Sequence, residues 1–269
     1  MPGTRLLRRD WEKDHVYLVQ FPRAGCMPSP SPFSLKVETW LRMADIPYTN
    51  VSNDFIKMSE KGQTPFIEVN GRHVADSNII IDHLIEEFHK KNIDDWLTPI
   101  DKSYSRAYHA LVEDSLRWVI LYQRARDNKW FATDQGFLQH FNGVKKFAFK
   151  NVLCERLRKR LMNMVMAQGI AKYTPEEVVT LAKKDLDAIS MFLGNKKYFF
   201  GEKPTTLDCT MFAFLSQFIY TPLVTPEIMT HMGQNNQNLV SFVSRMKEAY
   251  WPDWEEATKN LSMDSKWKK

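Results

Sequence analysis

The stretch "GQTPFIEVNGRHVADSNIIIDHL", residues 62–84, decides the fold of the first half of the chain. Phe66, Ile67 and Val69 flank Glu68 in a short apolar run of the kind that forms a strand. Asn70-Gly71 is the pair that two-residue type I′ hairpins favour, because both central residues need positive φ. Arg72-His73-Val74 then returns as the partner strand. Ile81, Leu84, Ile85 and Phe88 follow at i, i+3, i+4 and i+7, which predicts a helix opening near Ser77. Asp76 and Ser77 both suit its N-cap, and Pro65 suits the first position of a strand, where no N–H is required.

Working toward the N-terminus, "IPYTNV" (46–51) reads as another strand, and "VYLVQF" (16–21) as a buried one, rich in β-branched and aromatic residues. Between them "SPSPFSLKVETWLRM" (29–43) places Val37, Trp40, Leu41 and Ala44 on one helical face. Ser31 before Pro32 is a good N-cap with proline at the first helical position. The loop "PRAGCMPSP" ahead of it is dense in Pro, Gly and Ser. The resulting order β-α-β-(loop)-β-β-α predicts a small sheet with helices packed on it.

Toward the C-terminus the strand signals stop at "DDWLTPID" (94–101), which reads as a linker. Helical patterns then cover 103–128, 134–149, 151–170, 175–193, 205–220 and 235–249. Thr174-Pro175-Glu176-Glu177 is a helix start. Thr205-Thr206-Leu207-Asp208 is a capping box, with Asp208 reaching back to the Thr205 N–H, so Asp208 reads as structural. The predicted organisation is an α/β domain at 14–93, a linker at 94–101 and an all-α domain at 102–254.

Composition bounds the function. With 269 residues, 43% hydrophobic and 26% charged, the chain has the makings of a globular protein with a substantial core. The formal charge of +5 is mild, apart from Arg156–Arg160 and the tail Lys266, Lys268 and Lys269. These read as solvated faces and not as a nucleic-acid footprint. Cys26, Cys154 and Cys209 form no CxxC pair and no zinc spacing, which predicts free thiols in a reducing compartment and no metal site. A charged N-terminus without an apolar core, and no apolar run approaching ~18 residues, give the expectation of a cytoplasmic protein without a membrane span.

Three pieces resemble the glutathione S-transferase superfamily: residues 62–84, "GEKPTTLDCTMFAFL" (201–215), and Ser31-Pro32-Phe33-Ser34 in the position of a thioredoxin-like active-site segment. Within it, "FPRAGCMPSPSPFSLKVETWLRMADIPY" is similar to the failed-axon-connections proteins, the related cadmium-responsive nematode proteins and the metaxins. The resemblance implies a thioredoxin-like glutathione-binding domain followed by an all-helical one. It implies a cis bond at Thr64-Pro65, with Thr64 pairing the cysteinyl backbone of glutathione. Asp76 is implied to hold the γ-glutamyl ammonium and Ser77 the carboxylate, while Lys57, Lys61 and Gln63 remain alternatives for the glycyl carboxylate.

By the same resemblance Ser31 or Ser34 stands where the superfamily activates the thiol. A serine can donate to a thiolate but cannot exchange disulfides. From its own residues Ser31 reads equally as a helix cap. Cys26, in the same loop, is a further group near the expected sulfur position. A hydrophobic electrophile would meet aromatics of the second domain, with Tyr104, Tyr108, Trp118 and Tyr122 as candidates. Two functions follow from the resemblance: a glutathione-binding transferase, with a homodimer possible, or a non-catalytic adaptor in axon development or organelle interactions.

Overall fold

The computed structural model describes residues 6–89 and 92–264; Arg5 and the basic tail at 266–269 lie outside the described residues. Four strands form one mixed sheet: β1 (Val16–Gln20), β2 (Tyr48–Ser52), β3 (Phe66–Val69) and β4 (Arg72–Ala75), in the order β2-β1-β3-β4. β1 is buried at every position and pairs parallel to β2 and antiparallel to β3. Its side chains are buried on both faces of the sheet, hence the apolar run Val16–Val19. The hairpin joining β3 to β4 has φ of 47° at Asn70 and 78° at Gly71, as a type I′ turn requires.

Helix α1 (Pro32–Met43) and helix α2 (Ser77–Glu87) pack with this sheet. Val37, Trp40 and Leu41 are buried as expected, but so are Lys36, Glu38 and Arg42 on the other side of α1. The segment from Tyr250 to Met263 covers that side. Trp251 Nε1 donates to Thr39 Oγ1 at 3.0 Å, and Arg42 donates to the Tyr250 carbonyl at 2.9 Å.

Two compact units result. One takes in the chain through Arg23, Met27–Trp96 and everything from Met246 on; the other takes in Ala24–Cys26 and Leu97–Arg245. The division therefore differs from a simple cut at 94–101: residues 246–254, expected in the helical domain, belong with the sheet. The Trp251 indole, the Tyr250 carbonyl and the Asp253 carboxylate of this returning segment find their partners on α1, which no local pattern reveals.

The helical unit holds α3 (Pro99–Ala110), which runs through a π-helical turn (Leu111–Leu116) into α4 (Arg117–Arg126). Likewise α5 (Gly143–Ala148) continues through a second π-helical turn (Phe149–Leu153) into α6 (Cys154–Gln168). Residues 134–142 form no α-helix, against expectation, and carry only a 3₁₀ turn at Leu138–His140. A Cβ at Gly136 would lie 2.5 Å from the Phe131 backbone, so the chain folds back there in a tight turn. Helices α7 (Pro175–Leu193) and α8 (Thr206–Tyr220) match their predicted spans closely. Next come α9 (Glu227–Asn235), α10 (Gln237–Tyr250) and α11 (Trp254–Lys259). Asp208 is fully buried; its carboxylate accepts from Thr205 N at 2.7 Å and Phe199 N at 2.9 Å.

Candidate functional site

Register places the two halves of the expected cradle side by side. Phe66 in β3 is paired with Ala75 in β4, so Thr64-Pro65 and Asp76-Ser77 leave the sheet at the same end. The Thr64–Pro65 peptide is cis. The Thr64 hydroxyl accepts from Asn53 Nδ2 at 3.4 Å and donates to Met58 Sδ at 3.1 Å.

Asp76 has φ 86° and ψ 126°, a region that residues with a Cβ rarely enter and that costs on the order of 1–3 kcal/mol. Its carboxylate accepts from Asn78 N at 3.0 Å and Ile79 N at 3.4 Å, capping α2. Asp76 is thus a cap in fact, and Ser77 is a nearly buried first helical residue. Two ammonium groups stand at this helix start. Lys36, wholly buried, reaches across from α1 to donate to Asn78 Oδ1 at 2.6 Å, and Lys61 donates to the Ala75 carbonyl at 3.3 Å. With the helix dipole they make this end of the sheet unit positive. Of the three glycyl-carboxylate alternatives, Lys57 is in an exposed ion pair with Asp54 at 2.8 Å, and Gln63 is exposed with its N–H donating to Ser59 Oγ. Lys61 alone of the three makes its side-chain bond at the α2 start.

The serine pair separates. Ser31 is the N-cap of α1, its hydroxyl accepting from Ser34 N at 3.3 Å, and it keeps partial exposure. Ser34 has no exposure, and its Oγ is without a hydrogen-bond partner among the described residues. It faces the packed interior, so it is withdrawn as a thiol donor. The cation of the preceding loop is also committed. Arg23 forks onto Glu38 at 2.7 and 2.6 Å, and its Nε donates to the Ser262 carbonyl at 3.1 Å. Cys26 belongs to the helical unit, where its N–H donates to the Gln135 carbonyl at 2.8 Å.

The Glu38 cluster escaped sequence reading. Gln20, Arg23, Arg42, Tyr48 and Asn50 all donate to its carboxylate, and Arg42 also forks onto Asp253. Burial alone would push the Glu38 acid up, but the Arg23 and Arg42 charges and these hydrogen bonds outweigh it and hold its pKa at about 2. The visible signal was the Glu38–Arg42 pair at i, i+4; its burial was not visible.

In the helical unit the four aromatic candidates diverge. Tyr108 stacks on Phe192 at 4.2 Å, Tyr104 is exposed beside the same ring, and Tyr122 is buried. Trp118 alone of them lines a 540 Å³ cleft, together with Asp114, Ser115, Gly169 and Tyr173. Among the described residues no His, Cys, Asp and Glu side chains gather in a group fit to hold a metal ion, and burial pushes the Cys154 thiol up to about 11.

Comparison with known proteins adds the family. A glutathione S-transferase N-terminal domain model matches residues 32–130 and a glutathione S-transferase C-terminal domain model matches 182–246. Failed axon connections of Drosophila melanogaster is 38% identical over 96% of this chain and 63% of its own length, so the chain spans less than two thirds of that relative. Isoprene-epoxide–glutathione S-transferase of Rhodococcus sp. (strain AD45) is 27% identical over 83% of this chain and 94% of its own. Metaxin-2 of Mus musculus is 24% identical, with 91% of each chain covered. A glutathione S-transferase of Ceriporiopsis subvermispora, solved in complex with glutathione, superposes with a TM-score of 0.57 at 15% identity, covering 87% of this chain and 96% of that one.

Proposed function

Because the chain belongs to the glutathione S-transferase superfamily, we propose that it binds glutathione in the Thr64–Ser77 cradle and does so without conjugating it. The observation that carries the binding half is the Asp76 backbone. A non-glycine residue held at φ 86° beside a positive helix start is the kind of strained position that clusters at ligand sites. The γ-glutamyl carboxylate would face Ser77 and the α2 dipole with Lys36 and Lys61 nearby; Asp76, which already caps the helix, has oxygen lone pairs to spare for the ammonium.

The second half rests on the sulfur side. Ser34 is buried, the Ser31 oxygen already accepts as a cap with only its O–H left over, and Arg23 is neutralised by Glu38. Among the described residues of this loop and the α1 start, no cation without a carboxylate partner is left to lower a thiol's pKa. Among the relatives, one name states a transferase acting on isoprene epoxide, while failed axon connections and metaxin-2 name no reaction. Holding the tripeptide without using its thiol is the behaviour of an adaptor, and we extend that role to this chain.

Titration calorimetry with millimolar glutathione tests the proposal. Heat of binding is expected for the wild type, with loss in Ser77→Ala. Lys36→Met, which leaves the cap untouched, should weaken it. The absence of heat in the wild type overturns the binding reading. Steady-state assays with epoxide and aryl-halide electrophiles test the other half: turnover that Ser31→Ala abolishes would make the protein an enzyme, its Ser31 O–H donating to the sulfur.

A further inference from the structure

We propose that the outer face of the rod formed by α5, its π-helical turn and the start of α6 is a docking surface for anionic membrane lipid, independent of the glutathione cradle. Large apolar side chains stand in water along it: Val144 is 84% exposed and Phe147 69%, with Val152, Leu153 and Leu157 exposed further on. Their spacing has a physical cause. Val144 and Phe147 are one helical turn apart, and Phe147 and Val152 are five residues apart across the π-helical turn Phe149–Leu153. Five residues close one turn where the winding is π-helical. The π-helical turn thus brings Val152 closer to the line of Phe147 than α-helical winding would, and all three are exposed.

Cations flank the stripe. From Lys145 to Arg160 the chain carries seven basic residues and one acid, a larger excess than the +5 of the whole protein. The remainder is therefore close to neutral, and the positive field is local. Lys145, Lys146, Lys150, Arg156, Lys159 and Arg160 are exposed; only Arg158 is in an ion pair, with Glu155 at 2.8 Å, among the described residues.

Charge and apolarity together select the occupant. A nucleic-acid backbone would use the cations and leave Val144 and Phe147 in water. A second copy of the chain, meeting this face by its own two-fold, would bring two like-charged patches together. At the headgroup boundary of a bilayer, phosphate and acyl chain lie in adjacent layers, and basic helices with exposed aromatic and aliphatic residues bind there in the interface plane. No described helix is long and apolar enough to cross a membrane, so the contact would be peripheral.

Vesicle sedimentation of the full chain tests this, comparing pure phosphatidylcholine with mixtures holding about 30% phosphatidylserine. Binding is expected to the anionic vesicles, to be weak with the neutral ones, and to fall between about 0.1 and 0.5 M salt. Lys145→Gln, Lys146→Gln and Lys150→Gln should each lower the partition coefficient roughly fivefold. The double variant Val144→Ser/Phe147→Ser should lower it at unchanged charge. Circular-dichroism melting should be the same for all, since every altered side chain is exposed. The proposal is overturned if anionic vesicles fail to sediment the protein, or if the serine variant binds as the wild type does. It is equally overturned by light scattering that shows a dimer which the serine variant dissolves, or by duplex DNA binding through the lysines in the absence of vesicle binding.

Discussion

Replacing Glu38 by Gln isolates the buried ion cluster that closes the sheet unit. The carboxylate accepts from Arg23 twice, at 2.7 and 2.6 Å, and from Gln20, Asn50, Tyr48 and Arg42 at 2.7, 2.9, 3.2 and 3.3 Å. A glutamine keeps the shape but removes the charge and sets an NH₂ against incoming donors. Arg42 retains Asp253, whereas Arg23 loses the carboxylate onto which it forks. Removing one partner of such a pair costs about 3–5 kcal/mol, a large part of the 5–15 kcal/mol that holds a typical domain.

The pH dependence gives an independent estimate. The Glu38 pKa is about 2 in the folded protein against an ordinary 4.5, a difference worth about 3 kcal/mol. Because the folded value is depressed, this stability is fully present above pH 4.5 and drains away as pH falls toward 2. Urea unfolding followed by circular dichroism, at neutral pH and at steps down through this window, measures both quantities. Glu38→Gln should unfold at much lower urea and lack that part of the acid slope. The double variant Arg23→Met/Glu38→Leu should be less damaged than Glu38→Gln, since it leaves no buried guanidinium deprived of the Glu38 charge. A single variant within about 1 kcal/mol of wild type, with an unchanged acid slope, would refute the reasoning.

A Cβ at Gly25 would lie 1.9 Å from the Asp134 carbonyl oxygen, so Gly25→Ala should force the loop off the helical unit and cost about 1–3 kcal/mol in thermal unfolding. Asp208→Ala strands the buried N–H groups of Phe199 and Thr205 and should cost roughly 2–4 kcal/mol by the same measurement. Ser31→Ala removes a cap that Ser34 N uses and should cost about 0.5–2 kcal/mol, while Ser34→Ala, which removes a buried hydroxyl without a partner, should be neutral or stabilising.

What the sequence disclosed was what neighbouring residues decide. The Asn70-Gly71 turn, the Ser31-Pro32 helix start and the Thr205–Asp208 box each specify their geometry within four residues, and each is present. Burial carried by distant segments was hidden. The spacing of Val37, Trp40 and Leu41 implied a polar, solvated opposite face for α1, yet the return of Tyr250–Met263 caps Arg42 and the Glu38 cluster, and Lys36 is buried toward α2. Ser34 shared that fate, so a hydroxyl in the right place by motif is in the wrong place by packing. The basic run at Arg156–Arg160 was legible as charge, but the exposed Val144 and Phe147 ahead of it were not, because spacing alone does not tell an apolar face left in water from one packed inward.

The two misreadings on α1 have one cause, and it bears on the chemistry. A loop that must present a thiol-activating group needs either a free cation or a donor aimed at the ligand. Here the loop's arginine is turned inward to answer Glu38, and its Nε and Asn50 Nδ2 hold the carbonyls of Ser262 and Met263. The same contacts that bind the C-terminal segment to the sheet thus hold the charge of the loop's arginine in the interior. At the other end of α1's reach, Lys36 brings its charge to the start of α2. Lys36 thus stands at the start of α2 while Arg23 is held by Glu38, the distribution of charge that the proposed binding without conjugation requires.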